Sequence, residues 1–222
     1  SISRFTLDKG LSEAVNEVFI ELYNKGLVYK DKRLINWDPI LETAVSDLEV
    51  NQKNEKGKLW YIKYKILNDD DHIVVATTRP ETMFGDSGIA VHPKNKYLRK
   101  YIGKKALIPF TEKRIPIFAD EYADPKKGSG AVKITPAHDF NDYDVGKRHK
   151  LEIINILEKD GKINKNGIQD CIGLDIFEAR KLIISKLKES GQLVKTESIR
   201  NKVPYGDRSN TIIEPLLTEQ WF

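Results

Sequence analysis

Three threonines, an arginine and a glutamate fall within six consecutive residues, Thr77-Thr78-Arg79-Pro80-Glu81-Thr82. Stiff, short hydroxyl side chains with one fixed cation and one carboxylate among them suit a hydrogen-bonding pocket wall. The same stretch also reads as an ordinary strand end, because Pro80 forces Arg79 into an extended conformation. A second stretch, Lys133-Ile134-Thr135-Pro136-Ala137-His138-Asp139-Phe140-Asn141-Asp142-Tyr143, follows Gly128-Ser129-Gly130 and brings two carboxylates to the start of a helix. Their spacing of three puts Asp139 and Asp142 on one helical face. Structure alone can use both, Asp139 as an N-cap and Asp142 as a complement to the helix dipole. One cap needs only one acidic residue, however. The second carboxylate, with Lys133 and Thr135 on the incoming strand, leaves polar groups converging beyond structural need, and spacing leaves both readings open.

Other candidates carry less. His138 has no Ser or Cys nucleophile paired with it and reads as structural. His72, His92 and His149 lack metal-ligand spacing. The single cysteine, Cys171, excludes an intramolecular disulfide framework and a Cys-pair zinc site, and reads as a buried small apolar residue. Gly128-Ser129-Gly130 is too short for a dinucleotide or P-loop signature. Lys104-Lys105, Lys126-Lys127 and Lys147-Arg148 read as solvated faces, any of which could meet a phosphate.

These stretches need elements to hold them. Leu11, Val15, Val18, Phe19 and Leu22 form one stripe at the helical period, predicting a helix over 7–25 capped by Thr6 or Asp8 and stopped at Gly26. Residues 34–39 read as a short strand running into a turn and 46–50 as a weaker one. From Leu59 to Leu67 the period is two. The acidic turn Asn68-Asp69-Asp70-Asp71 and the β-branched run His72–Thr77 then predict a hairpin. Short strands are expected at Gly88–Val91, Ala106–Ile108, Arg114–Phe118 and Ala131–Ile134, with helices at Phe140–Arg148 and Asp175–Ser190. A strand is expected at Val194–Ile199, and the tail 203–222 shows few periodic positions. Many short strands with turn punctuation predict a mixed α/β fold: a curved, β-barrel-like core with surrounding helices, plus a small flanking module from the two chain ends. The expected division is a core of 50–198 with 1–49 and 199–222 as the flanking module.

Composition bounds the class. The 222 residues carry 37 Lys+Arg and 33 Asp+Glu, a net charge of +4, with 40% hydrophobic and 32% charged residues. The apolar share is too large for a disordered chain, and a chain of this length buries roughly 70% of its unfolded surface. No apolar run nears the ~18 residues of a membrane span, so a cytoplasmic protein without a membrane partner is expected. The weak positive charge permits a nucleic-acid partner without arguing for one. A chain that begins at Ser1 and ends on the apolar pair Trp221-Phe222 reads as an internal segment of something longer.

Taken together, Thr77–Thr82 and Lys133–Tyr143 resemble the paired motifs of the editing insertion of valyl-tRNA synthetases, class I enzymes. Asn36-Trp37-Asp38-Pro39, Ser46-Asp47-Leu48-Glu49 and Ile213–Phe222 are similar to that family's flanking segments, so the resemblance covers nearly the whole chain. The His-x-Gly-His and Lys-Met-Ser-Lys-Ser signatures of the class I nucleotide-binding domain are absent from the sequence. The related isoleucyl and leucyl enzymes carry similar insertions, but there Gly usually stands where this chain has Asp139. Asn210 stands where relatives usually have Gly, a position an Asn can occupy in the left-handed region.

The resemblance implies hydrolysis of Thr-tRNA(Val) by a positioned water. Threonine is nearly isosteric with valine, and an apolar pocket rejects it only about a hundredfold, the case on which that limit is usually stated. It further implies that Asp142 anchors the substrate α-ammonium and that Asp139, with Thr135, reads the threonine hydroxyl. Lys133 would stabilise the oxyanion or orient the water, while Thr77, Thr78, Arg79, Glu81 and Thr82 line the opposite wall. The partners implied are the acceptor end of tRNA(Val) carrying threonine and the rest of the synthetase chain, the whole acting as a monomer. No metal or cofactor is expected for this segment, ATP and Mg belonging to the parent enzyme. The alternatives are a non-catalytic tRNA-binding or structural insertion, or the editing domain of an isoleucyl or leucyl enzyme. The expectation that ties the reading together is that the threonine-bearing strand end faces the twin-aspartate helix start across a space the size of an amino acid.

Overall fold

The period-two stretch becomes the spine of the molecule. A computed structural model describes residues 5–222. In chain order its elements are α1 (Lys9–Asn24), β1 (Lys30–Asp38), β2 (Thr43–Val45), β3 (Val50–Ile66), β4 (His72–Thr77), β5 (Gly88–Val91), β6 (Lys105–Leu107), β7 (Arg114–Ala119), β8 (Ala131–Ile134), α2 (Phe140–Arg148), α3 (Ile176–Glu189), β9 (Leu193–Gly206) and β10 (Glu214–Trp221). They divide into two compact units: Leu34–Leu216, and the residues up to Arg33 together with Leu217–Phe222.

In the larger unit, Ile62, Tyr64 and Ile66 of β3 are fully buried, whereas the intervening Lys63 and Lys65 turn outward. Each fully buried aliphatic or aromatic side chain contributes about 1.5–3 kcal/mol, and this fixes the face that β3 presents to the core. The expected hairpin forms: β3 and β4 pair antiparallel from Trp60↔Thr77 to Lys65↔His72. The main sheet runs β4-β3-β6-β7-β5-β8, with β9 added on β3. Its two end strands, β4 and β8, come back against each other, so the mixed α/β core is curled and barrel-like. The predicted stripe Ile176, Ala179, Ile183 and Leu187 is the buried face of α3, which packs on the turn Pro80–Gly85 and on β9.

Three sequence expectations need correction. Residues 46–50 are not a strand: Asp47–Glu49 form a 3-10 turn. Glu49 Oε2 accepts there from Ser46 N at 3.1 Å and from Ser46 Oγ at 2.9 Å, a local side-chain alternative to sheet pairing. The long strands also extend past their expected bounds, β3 beginning at Val50 and β9 running to Gly206. Their outer halves pair from Val50↔Gly206 to Leu59↔Glu197. Backbone hydrogen bonds between two largely exposed, polar segments hold that ribbon, so it left no apolar alternation to read. The tail likewise contains β10.

In the smaller unit Asp8 caps α1, its Oδ1 accepting from Leu11 N at 2.9 Å. The apolar stripe of α1 stays largely exposed, Val15 at 65% and Val18 at 52%. Trp221 meets the rings of Phe19 and Tyr23 edge-on, at 5.1 and 6.0 Å between centroids. Among the described residues no helix is long and apolar enough to cross a membrane.

One close approach fixes α2. A Cβ added at Gly146 would lie 2.7 Å from Pro136 Cγ, so only glycine lets the helix seat against the turn that precedes it. Gly146→Ala is expected to lower stability by about 1–3 kcal/mol through overpacking, read as a lower urea midpoint. An unchanged midpoint would contradict the seating of α2 described here.

Candidate active site

The two chemistry-bearing stretches meet where the sheet closes on itself. Ala76 and Thr77 at the end of β4, Thr78 and Arg79 after it, and Thr82 in the following turn form one side of a cavity of about 220 Å³. Val132 and Lys133 of β8, then Thr135, His138, Asp139 and Asp142, form the other, with Leu59 and Tyr122 completing the lining. At ~30 Å³ per liquid water this is room for a handful of waters or one amino-acid-sized group. Among the described residues no ladder hydrogen bonds join β4 to β8, so the seam supplies a wall of side chains rather than a continuous sheet.

Lys133 is the centre of the inner wall. Its Nζ donates to Thr82 Oγ1 at 3.0 Å, Asp86 Oδ1 at 2.9 Å and Thr135 Oγ1 at 2.5 Å. Asp86 also accepts from the Thr135 hydroxyl at 2.7 Å and from the Tyr64 phenol at 2.8 Å. An ammonium has three protons to give, and all three are committed here. Lys133 thereby holds the Thr82 and Thr135 hydroxyls in place. Burial raises the pKa of Asp86, with the Lys133 charge and the hydroxyl donors opposing it, and burial pushes the Tyr64 phenol well up.

The carboxylate pair sits at the mouth. Asp139 Oδ1 caps α2, accepting from Asn141 N at 2.8 Å and Asp142 N at 3.1 Å, and Asp139 is exposed. Asp142 is buried and accepts from Thr135 N at 2.9 Å. Burial, reinforced by the Asp139 charge, pushes the Asp142 carboxyl up to about 7. Burial and the charges of both aspartates hold the Tyr122 phenol protonated well above its ordinary range. Burial and a like charge one helical turn away both favour the protonated form of Asp142.

The remaining predicted residues divide. Thr77 Oγ1 accepts from Arg79 N at 3.0 Å, and Thr82 Oγ1 donates to Arg79 O at 3.0 Å, so both are occupied in shaping the turn. Thr78 borders the cavity with its hydroxyl unengaged among the described residues. Arg79 spans the site: it donates to Glu81 at 3.2 Å, to the His138 carbonyl at 3.3 Å, and to Glu214. Glu81 does not line the cavity. It is fully buried, with both oxygens clamped at 2.7 Å by Arg180 of α3. Burial pushes its carboxyl up, but the Arg180 hydrogen bonds and the Arg79 and Arg180 charges outweigh it and leave the pKa lowered.

A second, larger cavity of about 790 Å³ adjoins the first, and Thr78, Arg79, His138 and Asp139 border both. Its walls carry Lys56, Lys58, Arg180 and Lys202 with the rings of Trp60, Phe140 and Phe177, a mixture that suits a phosphate-bearing aromatic ligand. Sequence reasoning left out Asp86, Tyr64, Arg180 and Glu214. Tyr64, Arg180 and Glu214 come from far along the chain, and Asp86, just past the first stretch, acts through Lys133 and Thr135, so no local spacing marks them. Among the described residues no cluster of three or more His, Cys, Asp or Glu could hold a metal ion.

The curled sheet with its polar seam cavity defines a mixed α/β fold. Residues 1–222 match the family described as tRNA synthetases class I (I, L, M and V), and the chain belongs to that family. It is 59% identical over 222 residues to the valine–tRNA ligase of Pelagibacter ubique (strain HTCC1062), covering all of this chain and 25% of that protein. It is 54% identical to the valine–tRNA ligase of Legionella pneumophila (strain Lens), with 24% of that protein covered. The chain thus spans about a quarter of the length of these curated relatives. The fold is similar to that of an Agrobacterium radiobacter K84 LeuRS solved in a ternary complex with tRNA and LeuAMS. The TM-score is 0.50 at 18% identity, over 89% of this chain and 33% of that one.

The electrostatics of the pair are directly measurable. By carbon-13 NMR the Asp142 carboxyl is expected to titrate at about 7, and in Asp139→Asn to move toward lower pH because a neighbouring negative charge is gone. An Asp142 titrating at the ordinary carboxylate value, or one indifferent to Asp139→Asn, would contradict this geometry.

Proposed function

We propose that this segment is the editing deacylase of a valine–tRNA ligase and hydrolyses Thr-tRNA(Val). One observation carries the reading: the amino-acid-sized cavity is lined by threonine hydroxyls and two carboxylates, where a site for valine alone would be apolar. A hydroxylated amino acid satisfies such a lining. Valine offers it no hydroxyl and forgoes that hydrogen bond, worth about 1.5–3 kcal/mol to a charged acceptor. The relatives named above are valine–tRNA ligases, and threonine, the near isostere of valine, is the misacylated residue in this reading.

In this reading Asp142 holds the substrate α-ammonium through a charge-assisted hydrogen bond worth about 1.5–3 kcal/mol. Asp139 reads the threonine hydroxyl, and Lys133 fixes the Thr82 and Thr135 hydroxyls that complete the cavity. The terminal adenosine lies in the larger cavity, with Arg79 and Thr78 at the border. An aminoacyl ester is already activated, so a positioned water suffices and no covalent nucleophile is required. Water adds to the ester carbonyl carbon, the bond to the ribose oxygen breaks, and that oxygen takes up the proton the water loses. Residues 50–198 form the deacylase core, linked by 1–49 and 199–222 to the part of the longer enzyme that uses ATP and Mg to ligate valine.

Asp142→Ala is expected to lower deacylation of Thr-tRNA(Val) by at least tenfold while leaving the fold intact, and Asp139→Ala to erode the preference for threonyl over valyl esters. Both are read by release of free tRNA from charged substrates. Unaltered activity in the first variant would remove the anchor. Hydrolysis of a different mischarged tRNA from a panel, or of none, would move the reading to another editing enzyme or to a non-catalytic tRNA-binding module.

A further inference from the structure

His138 holds a buried donor for which the fold provides no acceptor. The residue is 2% exposed, and its Nε2 accepts from Ile156 N–H at 3.0 Å. A nitrogen that accepts carries its lone pair, so the proton of the neutral ring lies on Nδ1. Burial, with the charges of Arg79 and Lys133, drives the pKa of the ring well below its ordinary value, so it stays neutral. Nδ1 is closed over and has no hydrogen-bond partner among the described residues. An unmet buried donor costs about 1–3 kcal/mol, and native structures keep few of them.

Its location gives the orphan a use. His138 borders both the 220 Å³ cavity and the 790 Å³ cavity. With the amino acid in the smaller space and the nucleoside in the larger, the ester that joins them crosses the border the two cavities share. Lys133, a cation on this wall, has its three protons committed. We infer that His138, as a neutral Nδ1–H donor, hydrogen-bonds the carbonyl oxygen of the bound aminoacyl ester and stabilises the oxyanion formed when water adds. This rests on the editing reading above. As the carbonyl π pair moves onto oxygen, the Nδ1–H bond shortens. When the tetrahedral carbon expels the ribose oxygen, that pair returns, and His138 never changes its protonation. It is therefore a donor and not the general base, since its one lone pair is occupied by Ile156.

Two amide variants separate this role from a structural one. In His138→Gln the amide oxygen can still accept from Ile156 N–H, while the Nδ1 donor is lost. In His138→Asn the amide nitrogen stands near the Nδ1 position, while Ile156 loses its acceptor. Single-turnover hydrolysis of Thr-tRNA(Val) by His138→Gln is expected to slow by about 10²-fold, the usual effect of removing one oxyanion donor. KM and the shape of the pH–rate profile should be unchanged and the urea midpoint near wild type. His138→Asn is expected to recover most of the rate despite a lower midpoint. A folded His138→Gln that turns over at the wild-type rate overturns the inference. So do rates in the two variants that follow their midpoints, or a pH limb lost with the histidine. Nitrogen-15 NMR of the unmodified protein tests the same claim without turnover: Nδ1 protonated and Nε2 bare between pH 5 and 9 is expected, and the opposite tautomer overturns it. An inactive wild-type protein would instead count against the editing reading, leaving the tautomer to decide this one.

Discussion

The buried pair of Lys133 and Asp86 is the constraint on which the site depends. Its salt bridge of 2.9 Å joins β8 to the residue that follows the Pro80–Gly85 turn, and Tyr64 brings β3 into the same cluster. Two ions are costly to bury, and this pair is supported because the remaining valences are met by Thr82, Thr135 and Tyr64. Removing one partner of such a pair costs about 3–5 kcal/mol, because the other is left charged and alone. The cluster thus holds the seam between β4 and β8 at a fixed width and orients the hydroxyls that line it.

Around that inner cluster lies a second network of charges with a different task. Glu81 is clamped by Arg180 of α3, Arg79 reaches from Glu81 to Glu214 at the start of β10, and the same guanidinium donates to the His138 carbonyl. The loop that delivers His138, Asp139 and Asp142 is therefore tied to two distant parts of the larger unit. Burial raises the Glu214 carboxyl, with the Arg79 charge opposing it. The division of labour is clear in the burial: charges that hold the frame are enclosed, while Asp139 remains open to solvent.

How much of this was legible in the sequence follows from what each feature depends on. The hairpin of β3 and β4, the stripe of α3 and the capped start of α2 were readable because periodicity and capping are local. So were the two site-bearing stretches, since their polar residues crowd together along the chain. The full extent of the β3 and β9 ribbon was not, because its partner lies far along the chain and its few apolar residues are spread among charged ones. Lys133 was recognisable as a candidate site residue, but its saturation by Asp86, Thr82 and Thr135 depends on three-dimensional packing. The same holds for His138, whose spare proton is defined by a single hydrogen bond from Ile156.

The central claim is that the seam cavity takes a threonyl group and the adjoining cavity its nucleoside. A crystal structure with a non-hydrolysable threonyl-adenosine mimic tests it most directly. The account predicts the α-ammonium on Asp142, the threonine hydroxyl on Asp139, and the adenine beyond Arg79 among Phe140, Phe177 and Arg180. A mimic bound away from the seam, or bound with its amino acid in the larger cavity, would contradict it.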